Sequence, residues 1–217
     1  MTAAAKYDEN HYDMIVIGSG PSGQKAAIQA AKLKKKVALV EYSERLGGVS
    51  SNTGTIPSKS FREAVLYLTG FRERSIYGPA YRVKSRITMS DLTFRIGSIV
   101  RHENHVIEDQ LGRNKVEILR GKASFADDHR IVIEGRDYVS TKSADNIVIA
   151  VGTRPHHPPG FEVDGEKILD SDDILTMKEL PRNIVVVGGG VIGVEYASMF
   201  SVLGVEVTLV EQRKDLL

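Results

Sequence analysis

Cysteine is absent from all 217 residues, which excludes disulfide staples, thiolate metal sites and a redox-active thiol pair within them. No apolar run reaches the roughly 20 residues needed to cross a bilayer, so a spanning helix is excluded too. Charge of one sign is also missing. With 29 Lys and Arg against 28 Asp and Glu, the net charge of +1 leaves no electrostatic footprint for nucleic acid or an anionic membrane. The lysines at Lys32, Lys34, Lys35 and Lys36 read as the solvated end of a helix, where cations suit the macrodipole. Residues Met1 to Asp13 are polar with no apolar core segment, so no secretory signal is expected. His102 and His105 share a helix face but have no third ligand in view, and no metal site is expected. What remains is an ordinary composition, 41% hydrophobic and 26% charged. It predicts a soluble, cytoplasmic protein of one large domain or two small ones.

The strongest feature present is an internal repeat. The apolar run Met14 to Ile17 reads as a buried parallel strand. Gly18-Ser-Gly-Pro-Ser-Gly23 follows, then an alanine-rich helix to about Leu33, then Val37 to Val40 ending in Glu41. The pattern returns as Ile184 to Val187, Gly188-Gly-Gly-Val-Ile-Gly193, a helix to about Leu203, and Val205 to Val210 ending in Glu211. The interval from first glycine to acid is the same in both copies. One GxGxxG is weak evidence; two complete strand–turn–helix–strand–acid units predict two adenine dinucleotide sites. Gly18 and Gly188 permit the sharp turn, Gly20 and Gly190 let backbone approach a pyrophosphate, and Gly23 and Gly193 let helix and strand pack closely. The pyrophosphate would sit at the helix N-terminus, where free N–H groups and the dipole favour an anion. Glu41 and Glu211 are placed to accept hydrogen bonds from ribose hydroxyls.

Between the copies the chain reads as mixed α/β. A helix is expected over Ser58 to Leu68 with Pro57 starting it. A longer one is expected from Asp91 to about Leu111, with Ser90 as N-cap and Gly112 beyond its end. Strands are expected at Val116–Leu119, Ile131–Ile133, Tyr138–Ser140 and Asn146–Ala150. The run Pro155-His-His-Pro-Pro-Gly160 reads as a loop crossing between domains, and its histidines suggest nothing catalytic.

Gly47-Gly-Val-Ser-Ser-Asn-Thr-Gly-Thr-Ile-Pro-Ser-Lys59 resembles the GGxCxNxGCxPSK signature of the flavin disulfide reductases. Ser50 and Thr55 stand where that family has its redox cysteines, and neither side chain can cycle between thiol and disulfide. One branch fits this departure. Asn52 to Lys59, Arg62 to Gly70, Val151-Gly-Thr-Arg-Pro155 and Gly193 to Phe200 resemble the soluble pyridine nucleotide transhydrogenases, which pass hydride between nicotinamide nucleotides through FAD. The match departs at Ser50, usually cysteine in the branch, and at Val151, usually threonine.

The resemblance implies an α/β fold: a Rossmann-like FAD-binding domain (1–153, first segment) followed by the beginning of a second Rossmann-like, NAD(P)-binding domain (154–217). It implies FAD at the first unit, with Gly18, Gly20, Pro21, Gly23, Glu41, Gly48, Ser50, Thr55, Lys59, Ala123, Gly152 and Thr153 as binding positions. NAD(P) is implied as substrate at Gly188, Gly190, Gly193, Glu211 and Arg213. Lys59 is the implied cation beside the flavin and Glu195 the glutamate that pairs with it, both catalytic. Glu211 favours NAD through the ribose 2′-OH, while Arg213 and Lys214 leave room for the 2′-phosphate of NADP. Family members are about twice this length, so the chain is expected to be the N-terminal part of a longer protein whose full-length form is a homodimer or larger. Two other readings stay open: an FAD-dependent NAD(P)H oxidoreductase with another acceptor, such as a quinone, or a dihydrolipoamide-dehydrogenase-like protein without the disulfide; and a non-catalytic nucleotide-binding fragment.

Overall fold

In the computed structural model, which describes residues 10–216, every position of strand β2 (Val37–Glu41) is buried. That burial pattern is expected of a parallel strand covered on both faces. Most of the polar stretch Met1 to Asp13, where no secretory signal is expected, lies outside the described residues. In chain order the elements are β1 (His11–Ile17), α1 (Pro21–Lys32), β2, α2 (Gly48–Asn52), α3 (Thr55–Leu68), α4 (Arg74–Tyr77) and α5 (Met89–Arg113). Then come β3 (Glu117–Arg120), β4 (Lys122–Asp127), β5 (Arg130–Glu134), β6 (Val139–Ile149), a short 3-10 turn (Asp173–Thr176), β7 (Asn183–Val187), α6 (Val191–Val202) and β8 (Glu206–Val210). The chain divides into two compact units. The first comprises residues up to Asn52 with Arg101–Thr153, the second Thr53–Val100 with the residues from Arg154 onward.

The first unit holds a six-stranded sheet in the order β3-β2-β1-β6-β5-β4. The β3, β2, β1 and β6 ladders are parallel, and β4 and β5 join antiparallel. Side chains alternate across the strands as a period of two requires. Val16, Val37 and Leu39 face Ala27 and Ala30 of α1 and Ile107 and Leu111 of α5. Ile15, Ala38 and Val40 face Ile131 and Ile133 of β5. Each fully buried aliphatic side chain of this kind contributes about 1.5–3 kcal/mol. Only Gly121 separates β3 from β4, although they occupy opposite ends of the sheet order. The antiparallel strands therefore fold back over the parallel ones and cover their second face.

The expected strands Tyr138–Ser140 and Asn146–Ala150 are one strand, a correction with a clear cause. β6 pairs with β5 through Val139–Ser143 and with β1 through Ser143–Ile149. The polar run between its halves hides the continuity, because backbone pairing carries it and side-chain patterning does not. β4 had no expected strand of its own.

The second unit is built around α3, α6 and the first half of α5. Phe61 and Val65, then Met89, Leu92, Ile96 and Val100, then Tyr196, Met199 and Phe200 form one core at helical spacing. Phe61 packs its ring against Tyr196 and Phe200 with centroids 6.2 and 6.3 Å apart. β7 and β8 form a parallel pair. Their outer face, with Val185, Val187 and Val210, is exposed.

Three helix boundaries correct the expectations. α3 starts at Thr55, so Pro57 lies within its first turn, where a missing N–H costs nothing. α5 starts at Met89 because Thr88, not Ser90, caps it. The Thr88 N–H donates to Asp91 Oδ2 at 2.8 Å and the Asp91 N–H to Thr88 Oγ1 at 3.3 Å, a reciprocal capping box. The same helix runs through Gly112, and the residue that leaves it with positive φ is Lys115 (φ 58). Lys32 lies in the last turn of α1, and Lys34 (φ 62) turns the chain out of it. Lys35 pairs with Asp13 at 3.1 Å, and the Lys36 ammonium lies 4.7 Å from the Tyr12 ring centre. Among the described residues no helix is long and apolar enough to cross a membrane.

Candidate functional site

The first glycine turn joins β1 to α1 at the carboxyl end of the parallel strands. Gly18 has φ +104, and a Cβ on it would lie 2.3 Å from the Ala150 carbonyl oxygen at the end of β6. Only glycine tolerates both conditions. A Cβ on Gly23 would lie 2.0 Å from the Gly18 carbonyl oxygen, so the third glycine sets how closely α1 approaches β1. At Gly20 the opposite holds: a Cβ would meet nothing within 4 Å. The space over the start of α1 is open. Gly20 makes no side-chain cap and Pro21 opens the helix, so the N–H groups of Ser22 and Gly23 have no intrahelical acceptor.

Around that opening the first unit assembles several expected positions. Gly48, at the start of α2, stands with its Cβ direction 3.0 Å from the Gly20 Cα. Ser50 lies on α2 and is half-buried. The Ala150 N–H donates to the Ile17 carbonyl at 2.8 Å, which carries Val151, Gly152 and Thr153 out beside the glycine turn, all exposed. Glu41 is 4% exposed and accepts the Ser19 N–H at 3.0 Å, the Ser19 hydroxyl at 2.5 Å and the Ser43 N–H at 2.9 Å. Ala123 packs with Val40 and Ile133, two residues beyond Gly121, whose N–H donates to the Glu41 carbonyl at 3.0 Å.

The second unit repeats the backbone geometry of this turn, except that a Cβ on Gly188 would meet nothing within 4 Å. Gly18 and Gly188 each donate their N–H across to the second strand, to Val40 and Val210, both at 2.8 Å. A Cβ on Gly193 would lie 2.1 Å from the Gly188 oxygen, and one on Gly190 would meet nothing within 4 Å. Glu211 accepts the Gly189 N–H at 2.6 Å and the Arg213 N–H at 2.8 Å. Its carboxyl is held down at about 2, chiefly by the Arg213 N–H, then by the Arg213 side chain and the Gly189 N–H. The Arg213 guanidinium itself pairs with Glu211 at 3.3 Å.

Thr55 opens α3 and Lys59 lies exposed on it, while Glu195 is half-buried on α6. Both helices belong to the second unit, and no ion pair among the described residues joins Lys59 to Glu195. Beside Glu195, the Tyr196 hydroxyl is buried without a partner among the described residues. Burial pushes it up to about 12, with Glu195 and Asp172 adding to the shift. No group of three metal-ligating side chains occurs among the described residues. Sequence reasoning missed Ser19 and Ser43 as the groups that hold Glu41, and Gly47, whose N–H donates to the Ser19 hydroxyl oxygen. The signal was a hydroxyl residue between the first two glycines.

The donor set and space fit an adenine dinucleotide: open backbone at a helix N-terminus, and a carboxylate at the end of the neighbouring strand. Residues 12–217 match the family described as pyridine nucleotide-disulphide oxidoreductase. The chain is 55% identical, over 95% of its length, to the soluble pyridine nucleotide transhydrogenase of Mycobacterium bovis (strain BCG / Pasteur 1173P2). It is 39% identical over 95% of its length to that of Colwellia psychrerythraea. In each case it spans 44% of the relative's length. Among solved structures, the Cu(II) complex of the HOCl-induced flavoprotein disulfide reductase RclA of Escherichia coli superposes with a TM-score of 0.82. Identity there is 26%, over 96% of this chain and 44% of that one. LpdA of Mycobacterium tuberculosis gives 0.82 at 28% identity, over 93% of this chain and 45% of that one. The chain belongs to the pyridine nucleotide-disulphide oxidoreductase family.

Proposed function

We propose that the chain is the N-terminal part of an FAD-dependent transhydrogenase that passes hydride between NADPH/NADP and NAD/NADH. The observation that carries this reading is the pair of matched dinucleotide cradles in a chain with no cysteine. Two nucleotide sites without a thiol relay suit hydride exchange between nucleotides and do not suit reduction of a disulfide. The names of the relatives support the same choice. In this reading residues 1–153 are the first segment of the FAD-binding domain and 154–217 the start of the NAD(P)-binding domain. The full-length protein is a cytoplasmic homo-oligomer.

Bound at this site, FAD would supply a hydride carrier between one nicotinamide and another. The chain's own residues bind and orient. The Ser22 and Gly23 N–H groups face the pyrophosphate position, Gly20 leaves room for it, and Pro21 presets the first helical turn. Glu41 receives a ribose hydroxyl. Gly48, Ser50, Gly152, Thr153 and Ala123 line the same binding path through backbone and small side chains, and Thr55 opens the helix that carries Lys59. The family resemblance assigns Lys59 the positive charge that would stabilise a reduced flavin ring and Glu195 the role of its carboxylate partner. Gly188, Gly190, Gly193, Glu211 and Arg213 hold the nicotinamide nucleotide, and Arg213 exchanges its Glu211 contact for a 2′-phosphate when NADP binds.

The test uses the full-length protein saturated with FAD. NADPH should reduce thio-NAD, while lipoamide and glutathione should be left unchanged. Failure to reduce thio-NAD overturns the transhydrogenase reading, and reduction of a quinone instead installs the oxidoreductase alternative. The 44% span favours a second statement about the 217 residues alone: they bind dinucleotide without turnover. Bleaching of the flavin band by NADPH in this chain would refute it.

A further inference from the structure

The geometry points to Ser19 as the positioning residue for Glu41, setting the ribose-recognising carboxylate in place before any dinucleotide arrives. The inference rests on the reading of the first unit as an adenine dinucleotide site. Ser19 is 0% exposed, and each of its polar groups is engaged. Its N–H and hydroxyl both donate to Glu41 Oε2, at 3.0 and 2.5 Å. Its Oγ accepts the Gly47 N–H at 2.9 Å, and its carbonyl accepts the Gln24 side-chain amide at 2.7 Å. One residue thus ties together the glycine turn, the acid of β2, the turn that leads to Gly48, and helix α1.

Glu41 needs such a holder. It is buried, and no ion pair among the described residues includes it. A buried carboxylate without a counter-ion is tolerated only when hydrogen bonds replace the lost water. A carboxylate offers about four acceptor positions, two on each oxygen. Ser19 fills both on Oε2, and the Ser43 N–H takes one on Oε1 at 2.9 Å. One position on Oε1 is left, and that is where a ribose hydroxyl can donate.

The second unit meets the same need with different chemistry, which is why the role belongs to the Ser19 hydroxyl and not to the loop in general. Gly189 stands in the place of Ser19 and has no hydroxyl to offer. Arg213, two residues after its acid as Ser43 is after Glu41, supplies the extra donor through Nε at 3.3 Å. A hydroxyl from the glycine turn and a guanidinium from beyond the strand are alternative ways of holding the same acid.

The experiment titrates FAD into the chain by flavin fluorescence and competes it with ADP and with 2′,3′-dideoxy-ADP, for the unaltered protein and for Ser19→Ala, Ser19→Gly and Ser19→Gly with Ser43→Arg. Ser19→Ala is expected to weaken FAD and ADP by about fivefold to tenfold, within the range of one lost ordinary hydrogen bond, because the hydroxyl acts on the ribose only through Glu41. Dideoxy-ADP should change by less than about twofold by the same reasoning, because it has no hydroxyl to present to Glu41. Ser43→Arg should recover most of the loss in the Ser19→Gly background. Equal losses for ADP and its dideoxy analogue would show that the hydroxyl only shapes the loop and would overturn the proposal, as would no loss at all. Should Ser19→Ala fail to fold, Ser19→Cys repeats the comparison with a similar volume and a much weaker donor. If the unaltered chain binds neither FAD nor ADP, the dinucleotide reading falls and the inference with it. If it binds both and Ser19 does not matter, the inference falls alone.

Discussion

Replacing Gly20 and Gly23 by alanine separates what the glycine turn does for the fold from what it does for a ligand. At Gly20 the backbone has φ −64, which alanine adopts freely, and a Cβ meets nothing within 4 Å. Gly→Ala at a compatible position gains about 0.4–1 kcal/mol through the unfolded chain. Alanine is a poorer N-cap than glycine by a comparable amount, so Gly20→Ala should leave stability within about 1 kcal/mol of the parent. Gly23 is different. Its Cβ would stand 2.0 Å from the Gly18 carbonyl oxygen and 3.3 Å from Val16 Cγ1, both part of a packed strand and turn. Helix α1 must then retreat from β1, opening the packing of Ala27 and Ala30. Overpacking at so rigid a site costs about 3 kcal/mol, a fall in melting temperature of roughly 6–12 °C for a chain of this size. The assay is urea and thermal unfolding of each variant, followed by FAD titration. Gly20→Ala should fold normally and lose dinucleotide binding, because the methyl fills the space left for the pyrophosphate. Gly23→Ala should lose stability first. If Gly20→Ala proves as destabilised as Gly23→Ala, or binds FAD as well as the parent, the division of roles among the glycines is wrong.

Four further outcomes follow from particular contacts. Thr88→Ala should cost about 1 kcal/mol by removing the cap of α5, read from the urea midpoint. Its partner Asp91 is held down at about 2 by the Lys84 ammonium and then by Thr88. Because its folded value lies below the unfolded one, that stabilisation is present above about pH 4 and lost as pH falls toward 2, and Asp91→Asn should flatten the fall in melting temperature across this window. Helices α1 and α5 both leave through a lysine with positive φ, Lys34 and Lys115, where α3 and α6 use Gly70 and Gly204, each with the same pair of backbone bonds closing the last turn. Lys34→Gly and Lys115→Gly should each stabilise by about 0.5–1 kcal/mol, and a destabilisation in unfolding titrations would count against the strain argument. Arg213→Ala should weaken NADP more than NAD in equilibrium titrations, since only NADP presents a 2′-phosphate to that guanidinium; equal losses would remove Arg213 from nucleotide selection.

Much of this was legible along the chain because the signals are local. The apolar runs, the glycine spacing and the closing acids specify two strand–turn–helix–strand units, since each glycine answers a constraint set within a few residues of itself. Thr88-Met-Ser-Asp91, a capping box, is a local signal of the same kind. What tertiary structure decided involved partners far apart in sequence. The long strand β6 exists because β5 and β1 pair with its two halves, whatever its own polar middle suggests. The fold-back at Gly121 depends on strands that meet across the whole sheet. Glu41 shows the division most clearly: its place at the end of β2 follows from spacing alone. That it is buried without a counter-ion and held by Ser19, 22 residues earlier in the chain, follows only from folding, because desolvation and hydrogen bonding depend on what surrounds a group in space and not on its neighbours in sequence.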